Sequence, residues 1–281
     1  MISAFAELLA EGRDRGRALG AFTCYDLETA SGVLAAAAER DAGVLLLVSS
    51  AAFAQSGGDQ LAGALRAAAE RSPARACVQL DHVSDLQLIE RAFEAGCGAV
   101  MADGSKLALE DNAALVAEAV RVARRFGGAV EAELGHVSGE EDVARAAAAG
   151  KFTDPDEVGP FIARTGAACL AVSIGNVHGT YASTPALDWP RLAAIGAATE
   201  VPLSLHGASG LPDEAVRRAV AAGIAKVNVN TELREAYLDA TAGALAGVRD
   251  GGDVLALHRD QTAAAHALAA SRLRQYEREA P

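Results

Sequence analysis

The chain has 281 residues, a formal net charge of −12 and 51% hydrophobic residues, only 4% of the chain being aromatic. The acidic balance argues against nucleic-acid binding, which calls for a basic footprint. No apolar run reaches the roughly 18 residues needed to span a membrane. The start of the chain carries charges early and has no basic segment ahead of an apolar stretch, so no secretory leader is expected and the cytoplasm is the expected location. Cys24, Cys77, Cys97 and Cys169 lack C-x-x-C spacing and read as reduced core thiols.

Short β-rich apolar runs alternate with Ala-rich stretches of helical character. Residues 20–25 predict a strand and 27–40 a helix; 43–49 a strand and 60–71 a helix; 76–82 a strand and 85–95 a helix; 99–105 a strand and 112–126 a helix. A strand follows at 129–134, then a long connection rich in glycine and acids over 135–154, of the kind that forms lids or binding loops. A helix is expected near 155–165, strands at 169–175 and 201–207, a helix at 214–222, a strand at 225–231 and one or two helices from 253 to the end. Most of these strand runs are continuously apolar, as strands covered on both faces should be. Glycines 96 and 223 close helices as C-caps. Eight such units in series predict an α/β fold, a TIM (β/α)8 barrel forming a single domain over 1–281 with a C-terminal helical tail. A doubly wound open sheet is the alternative.

In a barrel of this kind chemistry collects at the C-terminal ends of the strands, and here those ends are polar. The third ends in Asp81-His82, the fourth in Asp103-Gly104-Ser105, and the fifth carries Glu131 and Glu133. The sixth leads into Gly175-Asn176-Val177-His178-Gly179, the seventh ends in His206-Gly207-Ala208-Ser209-Gly210, and the eighth in Asn228-Val229-Asn230-Thr231. His82, His178 and His206 therefore share one rim. Neutral imidazoles in that number hold Zn2+ with one position open, the catalytic rather than the structural pattern, and also accept Co2+ or Fe2+. His258 and His266 read as surface or packing residues. Asp81 lies within reach of a metal-bound substrate or serves as a structural carboxylate. Glu140, Glu141 and Asp142 form either a solvated charge run or part of a working loop. The backbone around Gly207, Ala208 and Ser209, with Pro212 in the first turn of the next helix, suits an anion such as phosphate.

Six motifs together resemble one family: LDHVSD (80–85), MADGS (101–105), EAELGHVSGEED (131–142), IGNVHGTY (174–181), LHGASGLP (205–212) and KVNVNTELR (226–234). The chain resembles the class II, zinc-dependent ketose-bisphosphate aldolases of the tagatose- and fructose-bisphosphate type, over about residues 20–237. The resemblance implies that His82, His178 and His206 are the zinc ligands, with Asp103 and Glu133 near an alternative metal position. It implies that Asp81 handles the proton of the hydroxyl at the cleaved bond, and that Glu141 takes the proton from the ketone donor. Gly179, Gly207, Ala208, Ser209, Asn228, Val229, Asn230 and Thr231 match the dihydroxyacetone-phosphate site. A monovalent cation and assembly into a homodimer or homotetramer are further implications.

The implied chemistry is coherent. A Lewis-acidic metal on the donor carbonyl makes a carbon-bound proton accessible to a carboxylate base. No Schiff base on Lys226 is needed. The chain also departs from the family pattern. A lysine common after His-Gly-x-Tyr is missing from Tyr181-Ala182-Ser183-Thr184-Pro185-Ala186. Lys106 stands where histidine is common, Thr23 where asparagine is common, and Asp253-Val254-Leu255 replaces an Asp-Pro-Arg/Lys element. The missing lysine and the replaced Asp-Pro-Arg/Lys element remove positive charge that could meet a second phosphate, so fructose 1,6-bisphosphate is expected to be a poor substrate. The competing readings are an acceptor aldehyde without a second phosphate, a metal-dependent hydrolase on the same barrel, and a binding protein that has lost catalysis.

Overall fold

The computed structural model of the chain describes residues 1–139, 150–179, 181 and 185–277. Among them, strands β1 (Leu19–Thr23), β2 (Gly43–Ser49), β3 (Arg75–Val83), β4 (Ala99–Ala102), β5 (Ala129–Leu134), β6 (Cys169–Val172), β7 (Leu203–Leu205) and β8 (Ile224–Val229) pair in chain order into a closed parallel barrel. The helices are α1 (Phe5–Asp14), α2 (Leu27–Glu39), α3 (Ser50–Phe53), α4 (Gly58–Arg71), α5 (Leu86–Glu94) and α6 (Leu109–Arg125). They continue with α7 (Pro155–Thr165), α8 (Trp189–Ala197), α9 (Asp213–Ala221), α10 (Thr231–Arg249) and α11 (Val254–Gln275). The fold is a (β/α)8 TIM barrel.

The predicted strands all recur: β2 and β5 with the expected bounds, β3 one residue longer at each end, and β1, β4, β6, β7 and β8 with their C-terminal ends trimmed. β4 stops at Ala102, so Asp103-Gly104-Ser105 lies beyond the strand, and β6 and β7 likewise stop at Val172 and Leu205. Polar residues that bond to partners other than the neighbouring strand end the ladder there. Pro212 stands at the N-cap of α9 rather than in its first turn. Aspartates begin several helices: Asp26, Asp85, Asp154, Asp188 and Asp253 each accept a first-turn backbone N–H, satisfying donors that the helix cannot. α1, α3, α8 and α10 have no counterpart among the expected helices.

Two apolar layers hold the barrel. Helices pack on its outside through Val44, Leu46, Val48, Val78, Leu80 and Val100. The bottom of the interior is filled by Leu19, Leu45, Leu47, Cys77, Ala99 and Cys169, and α1 plugs it with Phe5, Leu8 and Leu9. Alternate residues of one strand face the same side, and along β3 the inward series climbs from Cys77 to Gln79 to Asp81. The interior thus changes from apolar to polar towards the C-terminal rim. α11 returns against α2 at a close approach: a Cβ at Gly32 would stand 2.5 Å from Thr262 O. His266 of α11 pairs with Glu39 at 3.0 Å, and His258 pairs with Glu28, in keeping with a packing role for both histidines. The four cysteines are buried thiols. Among the described residues, no helix is long and apolar enough to cross a membrane.

Candidate metal centre

β3 delivers two consecutive residues to the same place. Neighbours on a regular strand face opposite ways, yet Asp81 and His82 both line the rim cavity of about 400 Å3. The cause is local. The β3–β4 register shifts between Leu80 and Val83, and His82 has φ of 50°. A left-handed conformation at a residue other than glycine costs about 1–3 kcal/mol and is kept where the surroundings demand it.

The imidazoles of His82, His178 and His206 meet at this rim. One ring nitrogen from each lies within 4.8 Å of the others. The ring centroids of His82 stand 4.9 Å from His178 and 4.8 Å from His206. His82 Nε2 and His206 Nδ1 face each other at 2.9 Å. Their other nitrogens are engaged by carboxylates: His82 Nδ1 by Asp103 Oδ2 at 2.8 Å, and His206 Nε2 by Glu131 Oε1 at 2.9 Å. This is the carboxylate–histidine arrangement that orients imidazole ligands in metal sites. Nitrogens bound to one tetrahedral zinc stand about 3.3 Å apart, given Zn–N bonds near 2.0–2.1 Å, so the residues fit a zinc ion after small adjustments. His82, Asp103 and Glu133 form a second group with the same closeness. Glu133 Oε1 accepts the Val137 N–H at 2.8 Å, and its Oε2 is buried without a hydrogen-bond partner.

Electrostatics favour a cation here. Burial opposes charge on His82, but Asp81, Asp103 and Glu133 outweigh it and hold its pKa well above the ordinary value. Burial also works against ionisation of Asp103, and the contact with His82 outweighs that, leaving its pKa lowered.

A buried polar chain supports the rim from below. Glu131 on β5, Lys226 on β8 and Gln79 on β3 sit on strands that are not neighbours, so they meet only through the barrel interior. Lys226 Nζ lies 2.8 Å from Glu131 Oε2, and Gln79 Nε2 donates to the same oxygen at 2.7 Å. Burial raises the pKa of Glu131, but Lys226 and His206 reverse this and lower it. Burial opposes charge on Lys226, and Glu131 with Asp81 raises its pKa over that opposition. Lys226 is thus a buried ammonium rather than an amine available for Schiff-base chemistry. Lys226 Nζ also donates to Asn228 Oδ1 at 2.5 Å, and Asn228 Nδ2 donates to Asp81 Oδ2 at 3.0 Å. One connected path therefore joins the aspartate at the cavity to the glutamate behind His206.

The loops after β6 and β7 lock together. A Cβ at Gly207 (φ 62°) would fall 2.1 Å from Val177 O, so only glycine lets His178 and His206 come this close through their backbones. Asn176 Nδ2 donates to Val172 O and His206 O, and the Tyr181 hydroxyl joins Val177 N to Gly207 O. Burial pushes the Tyr181 phenol up to about 12.

The remaining sequence candidates are distributed as follows. Gly179 follows His178 and is buried. Ala208, Ser209, Asn228 and Val229 line one small cleft between the last two βα units. Asn230 accepts from the Tyr25 hydroxyl at 2.8 Å, and Thr231 opens α10. Glu141, with Glu140 and Asp142, lies outside the described residues. The ends of that connection are tied to each other by His136 N and Lys151 O at 2.7 Å. The sequence reading missed the supporting roles of Gln79, Glu131, Lys226 and Tyr181. A signal existed for the first three, since each stands two places before a rim residue on the same face of its strand (Asp81, Glu133 and Asn228).

The chain matches the family described as "Fructose-bisphosphate aldolase class-II" over residues 3–279. It is 40% identical over 234 residues to the D-tagatose-1,6-bisphosphate aldolase subunit GatY of Klebsiella oxytoca, covering 83% of this chain and 82% of that protein. Among solved structures it resembles the YdjI aldolase of Escherichia coli K12, with a TM-score of 0.87 and 29% identity over 98% of this chain and 97% of that one. The fructose-bisphosphate aldolase Fba of Campylobacter jejuni shares the fold, with a TM-score of 0.80 and 20% identity over 98% of this chain and 95% of that one.

Proposed function

Because the chain belongs to the class-II fructose-bisphosphate aldolase family, we propose that His82, His178 and His206 hold its catalytic metal and that Asp81 and Glu141 move its protons. The protein is a lyase that reversibly cleaves a carbon–carbon bond of a ketose bisphosphate. The family does not favour a hydrolase, nor an acceptor lacking a second phosphate.

The observation that carries the metal assignment is the pair of facing nitrogens, His82 Nε2 and His206 Nδ1, each on a ring whose far side is held by a carboxylate. Zinc, the metal of this family, would supply Lewis-acid chemistry to the donor carbonyl when bound there; Co2+ or Fe2+ would suit the same imidazoles. Asp103 and Glu133 offer an alternative position beside His82. In this reading Asp81 exchanges the proton of the hydroxyl at the cleaved bond. Asn228 fixes its carboxylate in the cavity wall for that task. Glu141 takes the carbon-bound proton of the donor. Gly179, the backbone of Gly207, Ala208 and Ser209, and the run from Asn228 to Thr231 bind the donor's phosphate, with a monovalent cation as a further ligand of that region.

The Klebsiella relative makes D-tagatose 1,6-bisphosphate the first substrate to test, beside fructose 1,6-bisphosphate, which differs from it only in the configuration at C4. We also read residues 1–281 as one barrel domain with α11 as its tail, working in the cytoplasm, where its thiols stay reduced. Assembly as a homodimer or homotetramer is part of the same reading, with Leu238, Leu245 and Leu255 as exposed apolar residues available for contacts. The decisive experiment is cleavage of both bisphosphates before and after chelation, with zinc titrated back. Activity should vanish on chelation and return at one equivalent of zinc, and H178A should neither bind zinc tightly nor cleave. Full cleavage by the chelated protein would overturn the assignment.

A further inference from the structure

The loop after β7 is gripped from outside the barrel in its C-terminal half, where it leads into α9. The Gly210 N–H donates to Glu232 Oε1 at 3.0 Å, and Glu232 belongs to the first turn of α10. Asp213 opens α9 immediately after the loop. Arg272, on the terminal helix α11, reaches both acids. Its Nε lies 2.7 Å from Glu232 Oε2, and its Nη1 lies 3.2 Å from Asp213 Oδ1. Gln275 completes the clamp, donating to Asp213 Oδ1 at 2.9 Å and accepting from Arg272 Nη1 at 2.8 Å. Buried Leu273 and Tyr276 anchor this turn of α11. Ser209, Asn228, Glu232 and Arg272 line one cleft, so the clamp stands directly behind the loop.

Charge gives the clamp a purpose beyond packing. Asp213 and Glu232 would repel an anion held by the loop, and the start of α9 attracts anions only if its own acids are offset. The guanidinium fork between them offsets both and fixes their positions at once. Resting on the reading that the donor phosphate binds this loop, we propose that Arg272 is a positioning residue for phosphate recognition: acting through Glu232 and Asp213, it sets the affinity for the phosphorylated donor without contacting it.

The test is donor proton exchange in deuterated water by the zinc-loaded enzyme, comparing dihydroxyacetone phosphate with unphosphorylated dihydroxyacetone. The wild type should strongly favour the phosphorylated donor in kcat/KM. In R272Q that preference should fall about tenfold, mainly through KM, a change of about 1.4 kcal/mol, with zinc content unaltered. Adding E232Q to R272Q should recover part of the preference, because one of the stranded carboxylates is gone. R272K keeps the charge without the fork and provides a milder variant should R272Q fold poorly; its preference should fall by a smaller factor. A proportional loss for both donors, or an unchanged preference in R272Q and R272K, would refute the role. A wild type indifferent to the phosphate would refute the donor-phosphate reading itself, and this proposal with it.

Discussion

Replacing Glu131 by glutamine tests the support beneath the metal centre. The substitution keeps size and hydrogen-bonding shape but removes the charge that faces Lys226. Both side chains are 0% exposed and their charged atoms are 2.8 Å apart. Removing one partner of a buried ion pair strands the other, at a cost of about 3–5 kcal/mol. Lys226 retains Asn228 Oδ1 as an acceptor and feels the field of Asp81, so the lower end of the range applies. For a chain of this size each kcal/mol moves Tm by about 2–4 °C, giving a fall of roughly 6–12 °C. His206 loses its charged partner at the same time, and disturbing such a support weakens metal affinity by about 10–100-fold. Thermal unfolding of the metal-free protein isolates the first effect, and zinc titration against a competing chelator isolates the second. The double variant E131Q/K226M separates them further: most of the stability should return, because no buried charge is stranded, while zinc affinity stays low. A Tm for E131Q within about 2 °C of the wild type would show that Lys226 is not held by charge as argued. Unaltered zinc affinity would remove Glu131 from the support of His206.

Two further outcomes are expected. D81N should lower cleavage by about 10²–10⁴-fold, the usual range for loss of an acid–base group, while donor proton exchange persists because Asp81 acts on the hydroxyl of the breaking bond; loss of exchange in step with cleavage would assign Asp81 a different role. Acid should destabilise the protein through Glu131 and Asp103, whose folded pKa values lie below the usual 4.5 and 3.8. Groups depressed in this way add stability above their unfolded values and lose it progressively as pH falls below them. Denaturant unfolding should therefore be flat in pH above about 5 with respect to these groups and decline below about 4.5, and E131Q should flatten part of that decline.

Much of the scaffold was legible in the residue order because strand and helix periodicity are local properties. The runs at 43–49 and 129–134 coincide with β2 and β5. Continuously apolar strands alternating with helices leave few topologies besides a closed parallel barrel. The histidines at the rim were legible for the same reason: a polar residue at the end of an apolar run marks the rim wherever the strand lies in space. Strand ends were less legible, because a strand stops where its last residues find partners off the ladder, as Asp103 does with His82.

What the sequence determined alone was the order of the eight strands, the βα repeat that a closed barrel accommodates, and the identity of the residues at the strand ends. What the tertiary structure decided was how those residues act on one another. The turn of backbone at His82 brings Asp81 and His82 to one cavity against the alternation of the strand. Glu131 meets His206 across 75 residues of chain, and Arg272 of the last helix reaches the loop beside Ser209. Each of these depends on barrel closure and on helix packing, which bring distant segments together, and no local period in the chain encodes such meetings.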